Sequence, residues 1–234
     1  MSAIFRRDFK SYFTSPIGFV YIAVFMFFAG LYFTTETLLV NTSDMSRFFD
    51  TLLTIFMYLI PLLTMRSISE ERKTKTDTVL LTAPVNLVGV VLGKFLAAFA
   101  VFMLGLGLTL IYYVVVVTFG TPESTVIMGH YIGLSLVGAA LISIGLFVSS
   151  LTENQIVAAV GSFAVILILW VISKLVVYIE QPILSKILRW LSVYDRYAYF
   201  VYGILDLTTV IYYISISFVF LFLTVRVFEK RRWS

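Results

Sequence analysis

The stretch LVGVVLGKFLAAFAVFMLGLGLTLIYYVVVVTF occupies residues 87–119 and contains a single charged residue, Lys94. A hydrocarbon core about 30 Å thick needs about 20 apolar residues to be crossed by one helix. At 1.5 Å per residue, this run would form a helix about 50 Å long. It therefore predicts a membrane-spanning helix that either tilts strongly or projects beyond the bilayer.

Composition extends this prediction to the whole chain. Of the 234 residues, 60% are hydrophobic and 13% are charged, whereas soluble domains carry about 25% charged residues. The length accommodates about five to seven spans with short loops, so no soluble domain of ordinary size fits beside them. We expect one all-α polytopic membrane domain covering residues 1–234.

Charge and cysteine content exclude several other classes of protein. The net charge of +4 arises from short Lys and Arg clusters between apolar runs, which indicate membrane topology and not a nucleic-acid partner. Cysteine is absent and His130 is the single histidine. Disulfide frameworks, thiol catalysis and Cys/His zinc clusters are thereby excluded, and no metal site is expected.

Apolar runs bounded by polar turns predict six transmembrane helices. Pro61 lies inside the second of them, where a kink is expected because neighbouring helices can satisfy the freed carbonyl. The fourth is rich in Gly, Ala and Ser, which allow close helix packing in lipid. The predicted spans are residues 17–37, 48–65, 87–119, 128–151, 155–178 and 207–228.

Residues 1–14 predict an amphipathic helix in the membrane surface. Phe5, Phe9, Tyr12 and Phe13 share one face of this helix, opposite the basic residues. The dipeptide Ser15-Pro16 then favours a helix boundary. Arg6-Arg7 resembles an export signal, but the apolar run that follows is long and lacks a small-residue cleavage site. We therefore expect this apolar run to remain in the protein as the first span.

The distribution of positive charge predicts the orientation. With both termini in the cytoplasm, 12 of the 17 Lys and Arg residues lie inside and five lie outside, namely Arg47, Lys174, Lys186, Arg189 and Arg196. Because cytoplasmic loops of membrane proteins are enriched in Lys and Arg, this arrangement is favoured. We expect a multi-pass protein of the bacterial inner membrane.

The one substantial cytoplasmic loop, residues 66–86, predicts a short charged helix. Ser69 is a candidate N-cap, and Glu70 and Glu71 complement the positive helix end. No packing role is evident for either glutamate, so we expect both to be exposed. The loop is either a docking element for another protein or a solvated segment that anchors topology, as charged runs often are.

Several motifs flank this loop. Leu80-Leu81-Thr82-Ala83-Pro84-Val85 is followed by Gly93-Lys94-Phe95 at the start of a long span. The others are Ser15-Pro16-Ile17-Gly18, residues 60–66, Gly203-Ile204-Leu205-Asp206 before Tyr212-Tyr213, and Arg231-Arg232-Trp233. In their order and spacing these motifs resemble the ABC-2 class of exporter permeases, in particular those of the gliding-motility and copper-enzyme-maturation type. Where members carry Gly-Thr and then an acidic residue in the loop helix, this chain has Lys75-Thr76-Asp77-Thr78.

The resemblance implies a coupling helix that docks in a groove of a separate ABC ATPase. Its expected contact residues are Glu70, Glu71, Arg72, Lys73, Leu80, Leu81 and Pro84. It also implies a re-entrant or interfacial external segment at residues 180–206, and pairing with a second copy or a homologous permease. Other expected partners are the lipid bilayer and an accessory membrane or periplasmic protein.

The chain lacks its own nucleotide-binding motif. A phosphate-binding loop requires G-x-x-x-x-G-K-[ST], whereas residues 89–95 are one residue short between the glycines and place Phe95 at the hydroxyl position. We expect no cofactor and no enzymatic activity in this chain. ATP and Mg²⁺ would be bound by the partner ATPase.

Three charged residues are candidates for a gate or a translocation path: Lys174, Glu153 and Asp206. Lys174 lies about one turn from the outer end of the fifth span, where snorkelling to water is the simpler interpretation. Glu153 also fits an exposed turn. His130 is expected at the outer headgroup level, and its separation from Ser135 by five residues argues against a catalytic pair.

Two alternatives to an exporter permease remain. An ion-coupled carrier would show inverted repeats and ionisable residues at mid-depth, and neither is evident in the sequence. A membrane anchor or assembly factor without transport activity is also compatible with the apolar spans.

Overall fold

The computed structural model describes residues 1–76, 86–176, 181, 183, 188, 192–201, 203 and 206–232. These residues form helices and turns, with no strand among them. The helices are α1 (Ser2–Thr14), α2 (Ile17–Phe33), α3 (Ser46–Thr64), α4 (Ser69–Lys73), α5 (Leu87–Leu108), α6 (Leu110–Phe119), α7 (Ser124–Leu151), α8 (Gln155–Leu175), α9 (Ala198–Val201) and α10 (Leu207–Arg232).

Within the described residues, six helical stretches are long and apolar enough to cross a membrane. They overlap the six predicted spans, with several ends at different residues, and confirm the all-α polytopic class. The first continues beyond α2 as a π-helical turn at Thr34–Leu38. The long third span is divided at Thr109 into α5 and α6, and α3 continues through Pro61.

Two spans form the centre of the bundle. In both α3 and α7, 67% of the most apolar window is buried, compared with 17% to 33% in the other four spans. The small residues of α7 make this possible, because a Cβ atom at Gly138 would overlap the ring of Phe102 and one at Gly145 would overlap Thr64. The predicted role of small residues in close packing is confirmed at these positions.

The N-terminal helix α1 packs mainly on α5 and also on α2. Its aromatic face is the predicted one, with ring centroids 5.8 Å apart for Phe5 and Phe9 and 5.2 Å apart for Phe9 and Phe13. Tyr12 donates a hydrogen bond to the Leu63 carbonyl at 3.0 Å, and burial raises the pKa of this tyrosine. The amphipathic face of α1 is thus directed towards the ends of the spanning helices.

The last helix, α10, packs along the length of α7, and α8 packs on α7 and α3. Although both α8 and α10 lie on α7, their described lengths make few contacts with each other. An open groove therefore separates them on the periphery of the bundle. Of the segment between α8 and α10, the structure describes a 3₁₀ turn at Asp195–Tyr197 and the helix α9. Most of residues 180–191 lie outside the described residues, as does Tyr178, the predicted end of the fifth span.

Candidate functional site

The short helix α4 begins with a cap supplied by another helix. Its N-cap residue, Ile68, has no side-chain oxygen, and Ser69 does not act as the cap, because its hydroxyl donates to the Met65 carbonyl. Ser149 of α7 accepts hydrogen bonds from the Ile68 and Ser69 amides at 3.3 and 3.1 Å. The predicted Ser69 cap is therefore wrong, and the unsatisfied amides of α4 anchor it to the central helix instead.

Beneath α4 lies a buried lysine that the sequence assigned only to topology. Lys94 of α5 is 1% exposed. Its Nζ donates to Asp8 Oδ2 at 3.1 Å and to the Ser67 carbonyl at 3.0 Å, and lies 2.8 Å from Glu71 Oε2 as an ion pair. A buried charge is tolerated only when it is paired in this way, so Lys94 ties α1 and α4 to a spanning helix.

A guanidinium from α1 completes the charge balance around Lys94. Arg7 pairs with Asp8 at 2.8 Å and with Glu71 at 2.5 Å. Partial burial opposes its charge, but hydrogen bonds and attraction to the two carboxylates outweigh this and raise the pKa of Arg7. Two cations and two anions thus form a neutral cluster that joins three helices.

The other face of α4 contacts the C-terminal end of α7. Arg72 donates to the Ser150 carbonyl at 3.2 Å and pairs with Glu153 at 3.3 Å. Arg231, near the end of α10, donates to the same Ser150 carbonyl. We refer to these contacts, together with Ser149 and the cluster around Lys94, as the α4 network.

The α4 network changes the expectation for the two loop glutamates. Both are partly buried, and Glu71 lies among Arg7 and Lys94, while Glu70 pairs with Arg66 at 2.7 Å. The expectation that both glutamates are exposed and free of packing roles is therefore wrong. Sequence reasoning did not reveal these contacts, because the cations that pair with the glutamates come partly from distant helices.

The remaining expected contact residues divide into two groups. Arg72 is partly buried in the α4 network, whereas Lys73 is exposed to solvent. Leu80, Leu81 and Pro84 lie outside the described residues. Among these expected contact residues, Lys73 is therefore the one that the described part of the chain leaves exposed.

The candidate gate residues occupy both ends of the bundle. Glu153, expected to be an exposed turn carboxylate, is exposed and pairs with Arg72 in the α4 network. Lys174 is exposed near the end of α8, with its Nζ 5.6 Å from the centroid of Trp170. It lines a cavity of about 380 Å³ together with Asp50, a carboxylate that sequence reasoning did not single out.

Asp206 caps the last spanning helix. Its Oδ1 accepts from the Thr208 amide at 3.2 Å and its Oδ2 accepts from the Thr209 hydroxyl at 2.9 Å. These hydrogen bonds, the one from Thr209 foremost, lower the pKa of Asp206. The residue thus has a structural role at the start of α10.

His130 lies inside the bundle, while its expected depth at the outer headgroup level stays a prediction. The residue is fully buried, its Nδ1 lies 2.7 Å from the Tyr197 hydroxyl, and its ring stacks on Phe49 at 4.5 Å between centroids. The ring nitrogen Nδ1 of the buried histidine is satisfied by Tyr197, which lies far along the chain. Hydropathy does not reveal such a pairing.

Several members of the α4 network were missed by sequence reasoning. Lys94 carried a usable signal, because a lone cation inside an apolar helix requires an opposite charge. Ser149 and Ser150 carried none, since serines are common in tightly packed membrane helices. Within the described part of the chain, no three His, Asp or Glu side chains come close enough to hold a metal ion.

The fold and the α4 network together define a multi-pass membrane protein whose short helix α4 is bonded to its spanning helices. The family model described as ABC-2 family transporter protein matches residues 34–228, most of the chain. The protein therefore belongs to the ABC-2 transporter family and is a permease component of an ABC transporter, a membrane component distinct from the nucleotide-binding domain. No curated protein matches its sequence.

Proposed function

We propose that this chain is the permease subunit of an ATP-driven exporter in the bacterial inner membrane, and that a separate ATPase subunit binds ATP and Mg²⁺. Membership of the ABC-2 family supports the class. The observation that carries the proposal is the α4 network, in which one short helix is bonded to α1, α5 and α7. The sequence motifs of the chain favour a permease of the gliding-motility and copper-enzyme-maturation type.

The network suggests how a push on α4 reaches the spans. A displacement of α4 pulls on α5 through Glu71 and Lys94, and on α7 through Arg72 and Ser149. Because α7 lies at the centre and carries α10 along its length, its movement is transmitted to the rest of the bundle. Rigid-body movement of packed elements is one established form of such a transition.

In the proposed orientation both termini are cytoplasmic, and α4 faces the cytoplasm. Thr76, after α4, and Thr121, between α6 and α7, are both exposed, and the chain contains no cysteine. An impermeant thiol reagent should label Thr121→Cys in intact cells and Thr76→Cys only after permeabilisation. The reverse pattern would contradict the orientation.

We also propose that two permease chains assemble with two ATPases, and that α2 and α8 form the interface between the permeases. In α2 and α8, 28% and 22% of the most apolar window is buried, and in α10 17%. All three helices keep apolar faces available, and the choice of α2 and α8 follows from the family resemblance. Two copies would present two α4 helices to the paired ATPases. The mass of the native complex should show two chains of each kind, and a transporting one-to-one complex would contradict this.

The candidate gate residues fit two places in this scheme. Glu153 pairs with Arg72 and would move with α4 during coupling. Lys174 and Asp50 line a cavity at the opposite end, where oppositely charged residues would control an exit path. Asp206 would hold the start of α10 beside that exit.

The decisive experiment is purification of the tagged protein in mild detergent and identification of the chains that accompany it. An ATPase of about 200 to 300 residues, the size of one or two domains, is expected. The substitution Lys73→Glu should weaken its recovery, because the exposed Lys73 is proposed to meet the ATPase. The matched control is Lys230→Glu, which reverses a second exposed lysine near the end of α10.

Two outcomes would refute the proposal. Recovery of the wild-type protein without any ATPase from its native membrane would remove the ABC exporter function. Equal recovery of the ATPase with Lys73→Glu and with the wild type would remove the docking role of α4, even if an ATPase is present.

A further inference from the structure

The groove between α8 and α10 is apolar over most of its length. Its volume is about 590 Å³, within the range of about 300 to 1,000 Å³ typical of ligand sites. Ile144 of α7 forms its floor, Val165 and Leu169 line one wall, and Ile216 and Val219 line the other. Such a lining suits a hydrocarbon chain.

The groove has the length of an acyl chain in one leaflet. Along α10 it extends from Thr208 to Phe220, which is about 18 Å at 1.5 Å per residue. One leaflet accounts for half of a hydrocarbon core about 30 Å thick. The groove therefore reaches from one surface of the bilayer to about its middle.

A cation lies at the surface end of the groove. Arg196 lines it, and its guanidinium carbon lies 4.2 Å from the centroid of the Tyr212 ring. Its Nε is buried without a hydrogen-bond partner among the described residues. Stacking on an aromatic ring leaves the edge of a guanidinium free to donate, and a buried donor without an acceptor is unfavourable.

We propose that this groove binds an anionic phospholipid, with one acyl chain between α8 and α10 and the phosphate on Arg196. An arginine fork matches phosphate oxygens, and hydrogen bonds between two charged groups are stronger than neutral ones. The ligand is a lipid of the leaflet that adjoins Arg196, and the site is independent of the α4 network and of ATPase docking.

The test measures lipid bound to the purified protein by native mass spectrometry. Dioleoyl phosphatidylglycerol is the anionic probe, and dioleoylglycerol supplies the same chains without phosphate. The wild type should retain the phospholipid and release the dioleoylglycerol. Arg196→Gln should weaken phospholipid binding about tenfold or more, as expected for loss of a hydrogen bond to a charged group.

Two further variants separate the charge from the groove. Arg47→Gln removes an exposed cation at the start of α3, outside the groove, and should bind the phospholipid like the wild type. Ser215→Trp changes an exposed residue that lines the groove, so the variant should fold normally and lose binding. An excess of inorganic phosphate should not displace the lipid.

Four outcomes would overturn the proposal. They are equal phospholipid binding by the wild type and Arg196→Gln, an equal loss in Arg47→Gln, unchanged binding in Ser215→Trp, and displacement by inorganic phosphate. A fifth concerns a protein occupant. If Ser215→Cys forms a disulfide between two copies in the membrane, a second chain and not a lipid fills the groove.

Discussion

The charge cluster around Lys94 gives a quantitative prediction. It contains two cations, Arg7 and Lys94, and two anions, Asp8 and Glu71. The substitution Lys94→Met leaves one negative charge in excess, and Glu71→Gln leaves one positive charge. The double variant is neutral again, with Arg7 still 2.8 Å from Asp8.

The magnitude follows from burial. The side chain of Lys94 is 1% exposed, and those of its partners Asp8 and Glu71 are 14% and 17% exposed. Removing one member of the cluster therefore leaves an unpaired charge that is shielded from water. Breaking a buried pair on one side costs about 3 to 5 kcal/mol, and we expect about 3 kcal/mol for Lys94→Met. For a chain of this size, that lowers the melting temperature by about 6 to 12 °C.

The assay is thermal unfolding of the purified protein in mild detergent, for the wild type, both single variants and the double variant. Because the double variant restores neutrality, its destabilisation should be smaller than the sum of the two single effects by about 1 to 3 kcal/mol. The control is Glu229→Gln, which removes an exposed partner of Arg226 and should cost less than about 1 kcal/mol.

Either of two results would refute this reasoning. In the first, Lys94→Met lowers the melting temperature no more than Glu229→Gln does. In the second, the effects of Lys94→Met and Glu71→Gln add fully in the double variant, which would mean that the two residues do not stabilise each other.

Two further predictions concern packing. Tyr197→Phe removes the hydroxyl that pairs with buried His130 and should cost about 1 to 3 kcal/mol in thermal unfolding. The exposed Tyr199→Phe is its control, and equal effects would contradict the role of the pair. Gly138→Ala should cost about 1 to 3 kcal/mol by overpacking. Gly107→Ala, whose added Cβ meets nothing within 4 Å, should not destabilise, and equal losses would contradict the close approach.

Hydropathy predicted the spanning helices well because their cause is local. About 20 apolar residues in succession suffice to cross a membrane wherever they occur, so the six spans follow from composition alone. Some helices extend past the predicted ends of their spans into polar residues. The helix α7 begins at Ser124 and not at residue 128, and α10 ends at Arg232 and not at residue 228. Polar residues extend a membrane helix beyond the bilayer without raising its hydropathy.

The candidate site was predicted in part. The position of α4, with Glu70 and Glu71 in its first turn, follows from charge pattern and turn residues. The contacts of Glu71 do not, because its partners Arg7 and Lys94 lie far from it along the chain. The coupling role of these residues stays a prediction, and charge reversal at Glu71 now carries an expected cost in stability.

The sequence by itself determined the number of spans, the short charged helix between the second and third of them, and the absence of a phosphate-binding loop. Only the tertiary structure decided which polar groups meet: Lys94 with the carboxylates of α1 and α4, Ser149 with the start of α4, and His130 with Tyr197. The physical reason is that the free energy of transferring a helix into the membrane depends on its local composition. Pairing of buried polar groups depends on which helices pack together, and this varies with the shape of every side chain between them.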